Sequence, residues 1–196
     1  MSTSYRPPLA AEVQRALARW PNVPAAFGWL ALDRRGRWSV PDGRITHPGT
    51  VAFLHSHYGA DEAGRWFVQN GPQRAYVTLD LAPWVFSLDG SGALIAFNGK
   101  RIETPRTLVV TDSGELLHMT EIGLGNLRDK DLATFIEQLS TATAGPTPLE
   151  VLTSGLGAGL AYRGQPLALE RLTTDALPAR FGYTLNPQPD TAIASP

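Results

Sequence analysis

Apolar and polar positions change rhythm several times along the chain, and each change marks a short element. In residues 9–19 (LAAEVQRALAR), Leu9, Val13, Ala16 and Leu17 share one helical face, with Glu12, Arg15 and Arg19 off it. Pro21 and Pro24 argue against helix beyond Trp20, because the residue before a proline is pushed out of the helical region. From Phe27 to Val40 two apolar stretches flank Asp33-Arg-Arg-Gly36, which predicts a hairpin with Gly36 at positive φ. Asp42-Gly43 predicts another turn. Val51, Leu54, His55 and Tyr58 recur at helical spacing and predict a helix over 50–58 ended by Gly59. Residues 65–80 read as strand, Asn70-Gly71 turn, strand, and the β rhythm continues over 84–88 and 93–97 across Asp89-Gly90. Asn98-Gly99 offers one more turn, into 100–103.

The second half follows the same rules. Residues 108–120 predict a hairpin around Asp112-Ser-Gly114. Leu132, Phe135, Ile136 and Leu139 give a helix over 129–139, with Asp129 and Asp131 suited to its positive N-terminal end. Residues 140–148 (STATAGPTP) read as a linker or exposed loop, and 155–159 (GLGAG) as flexible. Residues 160–172 predict a hairpin around Arg163-Gly164, and the tail after Asn186 reads as loose. The fold class is therefore α+β, with antiparallel sheets and short helices.

The order hairpin, helix, strand pair occurs twice. Leu32-Asp33-x-x-Gly36 is echoed by Thr111-Asp112-x-Gly114, and Asp80-x-x-Pro83 by Asp175-x-x-Pro178. Residues 65–67 before Asn70-Gly71 are echoed by residues 160–162 before Arg163-Gly164. Two readings stand: chance recurrence of a common order, or a tandem duplication giving two similar lobes, 22–103 and 104–186. In the second reading the lobes share a core, so the expectation is one globular unit over 1–196.

Composition narrows the function classes. Lys and Arg total 17 against 18 Asp and Glu, a net charge of −1, without the footprint of a general nucleic-acid binder. The tryptophans Trp20, Trp29, Trp38, Trp66 and Trp84 lack the basic interleaving of a single-strand platform. There is no cysteine, which excludes disulfides, thiolate nucleophiles and Cys-type zinc sites. No apolar run is long enough to span a bilayer and the first residues do not resemble a signal peptide, so the expectation is a cytoplasmic protein with no membrane partner.

Chemistry-bearing motifs are few. His47, His55 and His57 lie close in sequence, with Asp61 and Glu62 nearby and His118 distant. On a helix His55 and His57 point apart, so a metal site needs a non-helical reading or distant ligands. The plainer reading has His47 supporting the turn at Pro48. Residues 155–159 lack both G-x-G-x-x-G and G-K-[ST], and Ser154 lacks a nucleophile elbow, so no cofactor is expected. Asp33, Asp80 and Asp112 read as turn openers rather than an acid pair. The densest polar and aromatic cluster is Trp66, Gln69, Asn70, Gln73 and Arg74. It reads either as a pocket rim for a small polar or acidic ligand, or as a well-packed hairpin whose Asn70-Gly71 turn serves the backbone.

Residues 19–33, His47-Pro48-Gly49, the run from Arg65 to Val77 and Pro83-Trp84-Val85 together resemble a family of uncharacterised, mainly proteobacterial proteins of about this length, a domain of unknown function. The resemblance implies no activity, substrate or cofactor. The leading expectation is a non-enzymatic binding or accessory protein with its site at Trp66–Arg74. A small-molecule enzyme or metal-dependent hydrolase using His47, His55 or His57 with Asp61, and a self-associating structural protein, are the alternatives.

Overall fold

The computed structural model describes residues 11, 15, 18–19, 23–103, 105–142, 145–154 and 159–190. The four described residues of the N-terminal segment, Ala11, Arg15, Ala18 and Arg19, are helical, and the rest of the helix expected over 9–19 lies outside the described residues. The chain divides into two compact units. Among the described residues, one comprises 34–36 and those of 81–182, and the other those of 11–33, 37–80 and 183–190.

The second of these, called the N-terminal unit below, is built on a six-stranded sheet in the order β3-β2-β1-β6-β5-β4. Its strands are β1 (Ala26–Leu32), β2 (Trp38–Val40), β3 (Gly43–Arg44), β4 (Tyr58–Ala60), β5 (Trp66–Asn70) and β6 (Gln73–Leu79). Neighbours pair antiparallel except β1 with β6, which run parallel with Leu32 opposite Leu79. A parallel pair needs a long crossover, and everything from β2 to β5 supplies it.

Both faces of the sheet carry buried aromatic side chains, because large residues alternate across it. One face carries Trp38, Tyr58 and Trp66, with Tyr58 edge-on to Trp38 (centroids 5.5 Å apart) and stacked on Trp66 (4.7 Å). The other carries Phe67 and Tyr76, cross-strand partners, with Phe27 stacked on Tyr76 at 4.5 Å. Each such ring removes roughly 150–250 Å² from water, worth about 4–6 kcal/mol at about 25 cal/mol per Å².

The helix expected over 50–58 is displaced. Helix α1 runs over Pro48–Ser56: His47 is its N-cap, accepting the Thr50 amide on Nδ1 (3.3 Å), and Pro48 opens it. It ends before Tyr58, which enters β4 to bury its ring, and Gly59 is a strand residue opposite Phe67 rather than a helix terminator. The tail is tied down as far as it is described. The Leu185 carbonyl accepts the Leu79 amide at 2.8 Å, and Arg65 Nη1 reaches Asp190 at 2.6 Å.

The C-terminal unit holds an eight-stranded sheet in the order β12-β13-β14-β9-β10-β11-β7-β8. The strands are β7 (Trp84–Leu88), β8 (Leu94–Ala96), β9 (Thr107–Thr111), β10 (Leu116–Thr120), β11 (Gly123–Leu127), β12 (Leu139–Thr141), β13 (Leu160–Tyr162) and β14 (Gln165–Leu172). Two pairs are parallel, β9 with β14 and β7 with β11, so the sheets are mixed rather than wholly antiparallel. The run β11-β10-β9-β14-β13-β12 has the order of β3-β2-β1-β6-β5-β4, with the parallel pair at the same place.

Two further expectations shift here. The helix over 129–139 is a 3-10 turn (Asp129–Asp131) followed by α2 (Leu132–Glu137), and Leu139 belongs to β12, where pairing with Tyr162 buries it. Residues 140–148 are not simply a linker: Ser140 and Thr141 lie in β12 and Pro148 opens α3 (Pro148–Ser154), while 143–144 lie outside the described residues. Of the GLGAG segment only Gly159 is described. After β14 a 3-10 turn (Thr174–Ala176) leads into α4 (Leu177–Phe181), which Gly182 ends in the left-handed conformation (φ 69°).

Candidate functional site

The β5–β6 hairpin shows what its polar residues do. Strand alternation sends Trp66 to one face and Phe67, Gln69 and Arg74 to the other. Gln69 is almost fully buried. Its Nε2 donates to the carbonyls of Gly71 (2.7 Å) and Gln73 (3.2 Å), and its Oε1 accepts Arg74 Nε (3.3 Å). The Arg74 guanidinium lies over the Phe67 ring, 4.4 Å from its centroid. Gln73 donates to the Pro24 carbonyl at 3.1 Å, and Asn70 is exposed at the turn. The structure thus brings Gln69, Gln73 and Arg74 together around the turn, which Asn70 closes opposite Gln73. Trp66 stacks on Tyr58 on the opposite face.

At the other end of β5 from this turn is a largely buried charge cluster. Asp61 accepts the amides of Ala63 and Arg65, Arg65 Nε at 2.8 Å and the Tyr76 hydroxyl at 3.0 Å. Burial alone raises its pKa, but the Arg65 and Tyr76 hydrogen bonds outweigh that and hold the carboxyl below its ordinary value.

The three clustered histidines do not converge. His47 caps α1, His55 leans on Trp38 (centroids 6.3 Å apart), and His57 stacks on Phe53 at 4.2 Å with Nδ1 2.9 Å from the Phe53 carbonyl. Among the described residues no three His, Asp or Glu side chains are grouped to hold a metal ion. His118 lies apart in the C-terminal unit. It is fully buried on β10, edge-on to Phe135 (4.6 Å) and Phe86 (6.3 Å), with neither ring nitrogen hydrogen-bonded. Desolvation depresses its pKa to about 3, so the ring is neutral.

Concave surface lies elsewhere in the C-terminal unit, at the β13–β14 turn, where the polarity of the sequence gave little warning. A cleft of about 390 Å³ is lined by Ala93, Arg101, Ile102, Glu103, Arg163 and Gln165. A second, of about 320 Å³, is lined by Glu103, Pro105, Arg106, Glu121, Gln165 and Pro166. The two share Glu103 and Gln165.

Local structure aims these residues. A bridge between Ile95 and Arg101 folds the 97–101 turn back on β8, and the Ile102 amide donates to the Leu94 carbonyl at 2.9 Å. Arg101 is held by Asp89 (3.2 Å) and the Ser91 hydroxyl (3.0 Å). Asp89 is itself fixed by the Ser91 hydroxyl and the Ala93 amide, which pull its pKa down to about 2. The guanidinium groups of Arg106 and Arg163 make no hydrogen bond or ion pair among the described residues, while the Arg106 backbone donates to the Met119 carbonyl at 2.8 Å. The signal for this site was present in the Arg163-Gly164 dipeptide, where a turn that favours Asn or Gly carries an arginine.

Comparison with known proteins bears on the fold. The family described as "Protein of unknown function (DUF2946)" matches residues 9–188. A crystal structure of a DUF1285 family protein from Silicibacter pomeroyi DSS-3 superposes over 89% of this chain and 93% of its own, with a TM-score of 0.53 and 16% identity. A second, of a DUF1285 family protein from Shewanella baltica OS155, covers 56% of this chain and 91% of its own, with a TM-score of 0.42 and 14% identity. No curated protein matches. The first likeness shows a shared fold. The family match spans nearly the whole chain and agrees with the resemblance seen in residues 19–85, and the chain belongs to this uncharacterised family, DUF2946.

Proposed function

We propose that the protein is a non-enzymatic binding or accessory protein of the bacterial cytoplasm, and that a small acidic ligand occupies the paired clefts of the C-terminal unit. One observation carries this reading: Arg101, Arg106 and Arg163 all line concave surface, and the guanidinium groups of Arg106 and Arg163 have no hydrogen-bond or ion-pair partner among the described residues. At the 66–74 hairpin, by contrast, Gln69 and Arg74 spend hydrogen-bonding capacity on each other and on the turn. Titration with small carboxylates and inorganic phosphate, followed by calorimetry and backbone amide shifts, tests the reading. Saturable binding with shifts centred on 101–103 and 163–165 is expected. The absence of saturable binding, or shifts centred on 69–74, defeats it.

The recurring strand order supports a second part of the proposal, that β1–β6 and β9–β14 descend from one duplicated unit. The paired segments, 26–79 and 107–172, fall inside the lobes 22–103 and 104–186 marked out by the sequence echoes.

A further inference from the structure

Arg163 is the one described residue other than glycine with a positive φ (51°). With Gly164 at φ 78° it forms a two-residue turn closed by the Tyr162–Gln165 pair. Both central residues of such a turn are left-handed, which suits Asn-Gly or Gly-Gly and disfavours a long side chain. The corresponding β5–β6 turn, closed by Asn70–Gln73, places Gly71 at the same position with φ 54°. An arginine in the strained position therefore works against its own hairpin, and strain of this kind is retained where the side chain serves a ligand.

The surroundings define the ligand. The first cleft has two arginines against one glutamate, and the second has one arginine against Glu103 and Glu121. Counting lining residues alone, one end is net positive and the other net negative, joined through Glu103 and Gln165, with Asp89 also paired to Arg101 at the first. Glu121 is positioned from the backbone, its Oε1 accepting the Glu103 amide at 3.3 Å. Resting on the binding reading above, we infer that the clefts take an amino-acid-like zwitterion. Its carboxylate lies on Arg163 and Arg101, and its ammonium group faces Glu103 and Glu121. A guanidinium fork matches a carboxylate, and an ammonium beside two carboxylates completes the charge balance.

The test uses the full chain and two ligand series, the ω-amino acids from β-alanine to 5-aminovalerate and the unsubstituted acids of equal length, measured by calorimetry. The best amino acid is expected to bind at least about tenfold more tightly than its parent acid, a step of about 1.4 kcal/mol. Glu121→Gln is expected to erase that preference. Arg163→Asn separates ligand binding from folding: it should raise the unfolding temperature by about 2–4 °C by relieving the turn, while lowering affinity at least about tenfold. Equal affinity for acid and amino acid overturns the zwitterion inference and leaves the acidic-ligand reading standing. No binding in either series defeats both. An Arg163→Asn variant that binds like the wild type, or is less stable, removes Arg163 as the anchor.

Discussion

Gly125 shows how a single residue sets strand spacing. It lies on β11 opposite Trp84 of the parallel strand β7, and a Cβ there would come within 2.5 Å of Phe86 Cε2 and 2.7 Å of both Trp84 Cβ and the Trp84 carbonyl oxygen. A side-chain atom can move aside, but a ladder carbonyl cannot without breaking the pairing. Gly125→Ala is therefore expected to cost about 1–3 kcal/mol, read as a lower urea midpoint at unchanged slope. An unchanged midpoint would mean that β7 and β11 are not packed this closely. The parallel partner that makes Gly125 necessary is some forty positions away in the sequence, so no local pattern marks it. By contrast Gly36 and Gly114 were legible, because each closes a local hairpin at positive φ (76° and 83°). Gln69 was legible as important and opaque as to why. Its amide braces the turn from inside, and a buried polar side chain reads in sequence the same as a ligand-binding one.

At the scale of elements, the hairpins around Asp33–Gly36, Asn70-Gly71, Asp112–Gly114 and Arg163-Gly164 are legible in sequence, whereas helix ends and the strand Gly123–Leu127 are not. Helix α3 is the clearest case. Its run-up, residues 140–147, is rich in Ser, Thr, Ala and Gly and looks like a linker, yet Thr147-Pro-Leu-Glu150 is a capping box with proline in the first helical position. The structure closes the box from both sides: the Thr147 amide donates to Glu150 Oε2 at 2.7 Å, and the Glu150 amide donates to Thr147 Oγ1 at 3.3 Å. The far end is capped by Arg171, whose Nη2 donates to the carbonyls of Val151 (3.1 Å) and Leu152 (2.6 Å). A helix this short has little stability of its own, so its caps carry an unusual share. Thr147→Ala should lower stability by about 1 kcal/mol, and Thr147→Ser should restore most of it. Thermal unfolding of the three proteins decides the matter, and equal transitions for Thr147→Ala and wild type would show the box to be dispensable. Helix α1 starts earlier than its apolar spacing predicts for a related reason: Pro48, a turn former by type, is the first residue of the helix that His47 caps.

At the scale of the whole molecule, the antiparallel pairs β1–β2, β5–β6, β7–β8, β9–β10 and β13–β14 follow from turn chemistry, whereas the antiparallel pairs β4–β5, β10–β11 and β12–β13 and the parallel pairs β1–β6, β7–β11 and β9–β14 do not. Parallel pairs join strands distant in sequence, and no local residue encodes them. They are settled by burial, and burial leaves its own trace in how stability responds to acid. His118 lies on β10, in the middle of the eight-stranded sheet, walled by Phe86 and Phe135. In the unfolded chain a histidine takes up a proton below about pH 6.5, whereas in the fold the ring stays neutral down to about 3. Between those values the unfolded state binds the extra proton. The contribution is therefore complete above pH 6.5 and is lost as pH falls, at about 1.4 kcal/mol per pH unit. Asp61, also depressed, acts in the same direction but only from about its ordinary value near 3.8 downward, so the span from pH 6.5 to 4.5 isolates the histidine from it. Urea unfolding of wild type and His118→Leu across that span should differ in slope by close to one proton, with the variant flatter whatever its absolute stability. Parallel slopes would mean that the ring reaches water in the folded protein, and that the seal made by Phe86, Phe135 and the central strands is open.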